Sequence, residues 1–242
     1  LAMGRRRVRL LTAALGALCV PTLVWMAQRP GHLDVVLLVV VGLLFLAGEV
    51  FTIDVEFRHE SQSLTFTSVP LVVGLMFLPP AAVVAVRLAV VLVVFAGIQR
   101  QPSFKLAFNC TTATLDTAIV ALVLAVAPPG PFGPGHWLVA FGAVVAADLA
   151  SGLLTTAAIS CFQGHWEPGA LNDLPLGVVG AAADVSVAVL AVTLINDRQP
   201  AVVLLLALGA FVVAVSRAYT RIRTRYRGLE LLDRFTRAVC WL

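Results

Sequence analysis

The chain has 242 residues, 60% of them hydrophobic and 12% charged, with a formal net charge of +4. A soluble domain is roughly a quarter charged, so this composition, with a mean hydropathy of +0.97, excludes an ordinary water-soluble domain and puts the chain in a lipid bilayer. The basic excess is small and no nucleic-acid partner is expected; it is almost all arginine, sixteen against the single Lys105, a bias that with so much Ala, Val, Leu and Gly fits a high-G+C bacterial genome.

From the N-terminus, LAMGRRRVRLLTAALGALCV has the basic head and apolar run of a signal peptide. PTLVWMAQRP offers no small-x-small cleavage site, so the run reads as an uncleaved first span over 8–27. A second apolar segment covers 33–53. The charged stretch DVEFRHE follows, read as an interfacial turn over 54–60, and then Ser63-Leu64-Thr65-Phe66-Thr67 alternates with period two and reads as a strand or irregular segment. Irregular backbone at membrane depth is tolerated only where protein buries it or it lines a cavity. The ribbon is therefore a pointer to an internal cavity, with a plain interfacial loop as the competing reading.

Residues 66–98 are apolar but too long for one span, about 50 Å at 1.5 Å per residue, and Pro79-Pro80 interrupts them. Pro80 lacks an N–H and pushes Pro79 out of helical geometry. Two pieces result, 66–78 and 81–98, either two spans or a re-entrant hairpin. Further apolar segments lie at 107–127, 136–162, 174–195 and 200–217, with the outer turn APPGPFGPGH between the first two. The fold class expected is all-α: a polytopic transmembrane bundle of about eight hydrophobic segments, or six plus a hairpin at 66–98. Domain boundaries follow, with 1–217 in the membrane and 218–242 a cytoplasmic juxtamembrane helix. If 66–98 turns back, 14 Lys and Arg face the cytoplasm, Arg29 and Arg198 face outward and Arg87 is buried. The positive-inside rule favours that arrangement, with both termini cytoplasmic in a bacterial inner membrane.

Ionisable residues inside spans are costly and mark function or pairing. Asp116, Asp148 and Asp184 stand near mid-span, Arg87 lies in the second half of the hairpin, Glu49 is near the inner end of the second span, and Asn109 opens the fifth. These six are the candidate polar or ligand site. Three aspartates face one arginine, so at least two need protons, hydroxyl partners such as Thr114, Thr117, Ser151 and Ser186, or a cationic ligand. Polar glue between helices is the competing reading for each Asp alone; their number favours a cavity. No catalytic motif occurs, the histidines and the cysteines (Cys19, Cys110, Cys161, Cys240) have no metal-ligand spacing, and no enzyme activity, cofactor or metal is expected.

After the last span, Ile222, Tyr226, Leu229, Leu232 and Phe235 recur at spacings of three and four, one stripe of a helix. It reads as an exit helix that pairs with a second copy; an amphipathic helix lying on the bilayer is the alternative. No capping residue follows the stripe, so the chain reads as cut off before an output region.

VEFRHESQSLTFTSVPLVVGLMFLPP, KLAFNCTTATLD and SRAYTRIRTRYRGLELLDRFTRAV together resemble the N-terminal integral-membrane regions of bacterial cyclic-di-GMP signalling proteins of the GGDEF and EAL type. The resemblance runs from about residue 35 to 239 and includes no catalytic motif. It implies a sensory input module that passes a membrane or small-molecule stimulus to a missing cytoplasmic output domain. The alternative class is a small-molecule transporter or a membrane substrate-binding subunit.

Overall fold

The computed structural model describes residues 2–29, 31–50, 53–57, 60–64, 67–127, 133–164 and 174–197. The expected span at 200–217 and the stripe Ile222, Tyr226, Leu229, Leu232 and Phe235 lie outside the described residues. Within them the chain is helical apart from one short ribbon. The helices are α1 (Ala2–Ala27), α2 (Val35–Val50), α3 (Ser68–Phe77), α4 (Pro80–Val91), α5 (Ser103–Leu124), α6 (Pro134–Gln163) and α7 (Leu174–Asp197). A π-helical turn, Leu92–Ile98, continues α4. Helices satisfy every backbone donor and acceptor within their own segment, which the hydrocarbon interior demands.

Four helical stretches are long and apolar enough to cross a bilayer: Gly4–Ala27, Pro80–Ile98, Ser103–Leu124 and Pro134–Gln163. Val35–Val50, Ser68–Phe77 and the Asp184–Asn196 stretch of α7 are apolar but shorter. The expectation of a helical membrane protein holds at this level. Large apolar side chains such as Leu18, Val36 and Leu138 stand exposed on the outside of the bundle, as a lipid-facing surface would require.

Packing runs from α5 to α6, α7, α3, α2 and α4, and returns from α4 to α5. α1 lies against α5 and α6. Small side chains allow the close approach: Ala113, Ala118 and Ala121 of α5, Ala140, Ala143 and Ala147 of α6, and Ala181, Ala188 and Ala191 of α7 are all buried. α3 sits inside this circuit, with every residue from Ser68 to Gly74 buried.

The break at the proline pair is realised. Leu78 is extended, Pro79 has φ −56° and ψ 133°, and Pro80 opens α4 at its first turn, where its missing N–H costs nothing. A Cβ on Gly74 would lie 3.2 Å from Val83 Cγ2, and Leu71 shares a cavity wall with Arg87. α3 and α4 thus run antiparallel and the segment turns back on itself. Helix ends sort into two faces accordingly. On one, Gly4 abuts the Phe162 carbonyl and Arg5 lies 5.9 Å over the Phe104 ring, itself stacked on Phe162. On the other, Trp25, Met76, Pro80, Leu124 and His136 line one cleft, and Arg29 stacks 4.3 Å from the Trp25 ring.

The charged stretch between α2 and α3 corrects one expectation. Ile53–Phe57 (β1) and Glu60–Leu64 (β2) pair antiparallel, with Ile53 opposite Leu64 and Phe57 opposite Glu60. The strand over 60–64 begins earlier than the alternation at 63–67 suggested, and 54–60 is no simple turn. Asp54-Val55-Glu56-Phe57 also alternates polar with apolar, a period-two signal that its charge density hid.

Candidate functional site

The circuit of helices forms a half-open polar cavity of about 320 Å³. α5 contributes Asn109, Thr112, Ala113, Asp116 and Val120, and α6 contributes Val144, Ala147, Asp148, Ser151 and Thr155. Both sets recur every three to four residues apart from the neighbours Thr112–Ala113 and Ala147–Asp148, so each is a single helical face turned to the same space. Arg87 and Val91 of α4, Phe95 of the π turn, Glu49 of α2, and Thr67, Ser68 and Leu71 at the start of α3 complete the wall. A π turn widens the local helical step and recurs at functional sites; here it carries Phe95 into the wall.

Five of the six sequence-selected residues, Glu49, Arg87, Asn109, Asp116 and Asp148, line this one cavity. Asp184 does not. It is buried on α7 and hydrogen-bonded to Ser68 at the start of α3, which makes it a tie between helices. Thr117 and Ser151 serve the polar network as expected. Thr114 and Ser186 do not: each donates to a carbonyl of its own helix, Cys110 and Ala182 respectively. Sequence reasoning did not single out Thr112, Thr155 or Ser68, because a hydroxyl in a span is common and only the facing helix shows which one matters.

Arg87 anchors the site and is only 6% exposed. Its Nη2 donates to Asp116 Oδ2 at 3.0 Å. Its Nη1 donates to the Ala113 carbonyl and to Thr117 Oγ1, both at 3.0 Å, and the guanidinium lies 5.8 Å from the Phe45 ring centroid. Ser151 Oγ donates to the second oxygen of Asp116. The Asp116 carboxylate is therefore held from α4 and from α6 at once. Such additional hydrogen bonds offset the cost of burying an ion pair.

Two groups near Asp116 have no hydrogen-bond partner among the described residues, the inaccessible Arg87 Nε and the exposed Asp148. Asp148 stands one turn before Ser151 on the same face of α6, and its carboxylate accepts no hydrogen bond from another described residue. The cavity wall holds one guanidinium against three carboxylates, Glu49, Asp116 and Asp148.

Beside the polar cavity lies an apolar cleft of about 540 Å³ among α1, α5 and α6, on the face that bears Arg5 and Lys105. Asn109 and Thr155 belong to both walls. Asn109 Nδ2 donates to Gln101 Oε1 at 2.9 Å, and Gln101 Nε2 donates to Gln99 Oε1 at 2.7 Å.

Among the described residues no group of three or more His, Cys, Asp or Glu side chains could hold a metal ion. No protein-family model matches the chain, and no curated protein or solved structure resembles it. The arrangement can bind a polar solute through charge and hydrogen bonds.

Proposed function

We propose that the chain is a membrane-embedded sensory input module: a solute in the polar cavity shifts the helices around it and reorients a C-terminal exit helix that drives a cytoplasmic output. The observation that carries the binding half is the cavity itself, walled by Arg87, Glu49, Asp116 and Asp148 among helices long and apolar enough to cross a bilayer, where ionisable residues mark function or pairing. The coupling half rests on the stripe Ile222, Tyr226, Leu229, Leu232 and Phe235 and on the resemblance to input regions of cyclic-di-GMP signalling proteins. In this reading 66–98 is a hairpin, both termini are cytoplasmic in a bacterial inner membrane, and two copies pair through the exit helix. The grouping of Arg5 and Lys105 on one face and Arg29 on the other supports that orientation.

A ligand shifts a two-state equilibrium only through different affinity for the two states. Arg87 and Asp116 on α4 and α5, tied through Ser151 to α6, give a bound solute three helices to act on. The test is a chimera in which a dimerisation-dependent reporter enzyme follows Leu242. Leu229→Pro, which breaks the exit helix, abolishes regulated output while membrane insertion stays intact. Unchanged regulation in that variant overturns the coupling. The broken helix pair α3–α4 favours a second reading, a transporter or substrate-binding subunit, because discontinuous helices build transport sites. Solute uptake into vesicles holding the chain alone, lost in Asp148→Asn, would decide for it.

A further inference from the structure

The apolar cleft of about 540 Å³ among α1, α5 and α6 is larger than the polar cavity beside it. Its apolar wall is Val8 of α1, Phe104 and Phe108 of α5, and Ala158, Ile159 and Phe162 of α6. Along α6 it runs from Gln163 to Thr155, about 12 Å at 1.5 Å per residue. Ile159 and Phe162 are 47% and 38% exposed, so the cleft opens sideways, toward the surrounding lipid. Its rim is basic. Lys105 lines it, and Arg5 is held 5.9 Å over the ring of Phe104, which is itself stacked on Phe162. Both cations are exposed, no carboxylate among the described residues lines the cleft, and neither cation has a salt bridge among the described residues.

We infer that this cleft holds an anionic phospholipid from the adjoining leaflet, with one acyl chain between α5 and α6 and the phosphate at Arg5 and Lys105. The inference does not depend on what the polar cavity binds. An acyl chain gains little by leaving bulk lipid for an apolar cleft, because lipid tails are as apolar as the side chains that line it. Selection must therefore come from the headgroup, and a basic rim without carboxylates favours a net negative one. Charge also argues against the two protein occupants. The apolar segment 200–217 is followed by Arg221, Arg223, Arg225 and Arg227, and a second copy would bring its own Arg5 and Lys105; either would set like charges together.

The experiment places the full chain in phosphatidylcholine nanodiscs that contain a probe lipid with a photoreactive diazirine on one acyl chain. Two probes differ only in headgroup, phosphatidylglycerol and phosphatidylcholine, and attachment sites are mapped by mass spectrometry after irradiation. The phosphatidylglycerol probe should label the peptides that carry Phe108 and Ile159 in preference to the neutral probe, by about fivefold for each cation that engages it. Both probes should label exposed Val36 on α2 alike, which also reports that each variant inserts and folds. Arg5→Gln and Lys105→Gln should each lower the preference about fivefold, and added salt should lower it too, because exposed charges are screened. Equal labelling of the cleft by the two probes overturns the inference and leaves ordinary boundary lipid. Labelling by neither overturns it in favour of segment 200–217 or a second copy. Displacement of the anionic probe by inorganic phosphate in the buffer overturns the lipid as the source of the anion. A preference that survives Arg5→Gln and Lys105→Gln together overturns the role given to the rim.

Discussion

Asp184 and Asp148 are the same residue type at similar depth in their helices, yet the protein treats them differently. Asp184 is 7% exposed, as is Ser68, and the two are joined across the α7–α3 contact. Asp148 is exposed at the wall of a cavity and accepts no hydrogen bond from a described residue. The first contact closes two helices on each other; the second leaves a charge available. A carboxylate in a span therefore does not by itself mark a site. What distinguishes the two is whether the facing helix brings a hydroxyl or an empty volume.

The sharpest way to break this comparison is at Arg87, which belongs to both kinds of contact: it ties α4 to α5 and also lines the cavity. Replacing it with Met strands the Asp116 carboxylate in a buried setting. Removing one partner of a buried pair costs about 3–5 kcal/mol, and unfolding in mixed micelles should show a loss of that order. The double variant Arg87→Met with Asp116→Leu should recover most of it, because an apolar pair of similar volume substitutes well for a buried ion pair. If the single variant is as stable as the wild type, the pair at 3.0 Å is not what holds α4 against α5.

The next effect is steric and lies away from the cavity. A Cβ on Gly4 would stand 2.5 Å from the Phe162 carbonyl oxygen, a backbone atom that cannot rotate away. Gly4→Ala must push α1 off the end of α6, at a cost of about 1–3 kcal/mol, typical of overpacking. Cavity binding should survive, since α1 contributes no residue to its wall. Loss of binding in Gly4→Ala would mean that the cavity depends on α1 after all.

Asp184→Ala probes the tie. It removes the bond to Ser68, and hydrogen bonds between membrane helices average about 0.6 kcal/mol with a maximum near 1.7, so about 1 kcal/mol should be lost. The freed Ser68 hydroxyl can turn to a backbone carbonyl, which keeps the loss modest. A null effect would remove the distinction between the two aspartates from the stability side.

Much of this was legible in the chain itself. Apolar runs long enough to span located the helices, and Pro79-Pro80 located the corner between α3 and α4, because a proline pair admits no other backbone. The polar cavity residues stood out for an equally simple reason: Arg87, Asp116 and Asp148 interrupt long apolar runs, and a charge there must face inward. Partnership was not legible. Arg87 and Asp116 are 29 positions apart, and a polar face on each helix says which side turns inward but not which helix it meets. Nor could Ser68 be matched to Asp184 before α3 was seen inside the circuit. The ribbon at 53–64 was misread at its first strand because attention to charge hid a two-residue period.

Asp148→Asn is the smallest change and the most informative. The substitution keeps the volume and removes only the charge. Because no described residue donates to Asp148, stability should stay within about 0.5 kcal/mol of the wild type, as for an isolated substitution that breaks no contact. Set beside Asp184→Ala, the pair of variants separates two roles by two readouts. One should lose stability and keep solute binding; the other should keep stability and lose binding. A protein in which both variants lost stability equally would hold four helices together with its aspartates and have no charge to spare for a solute.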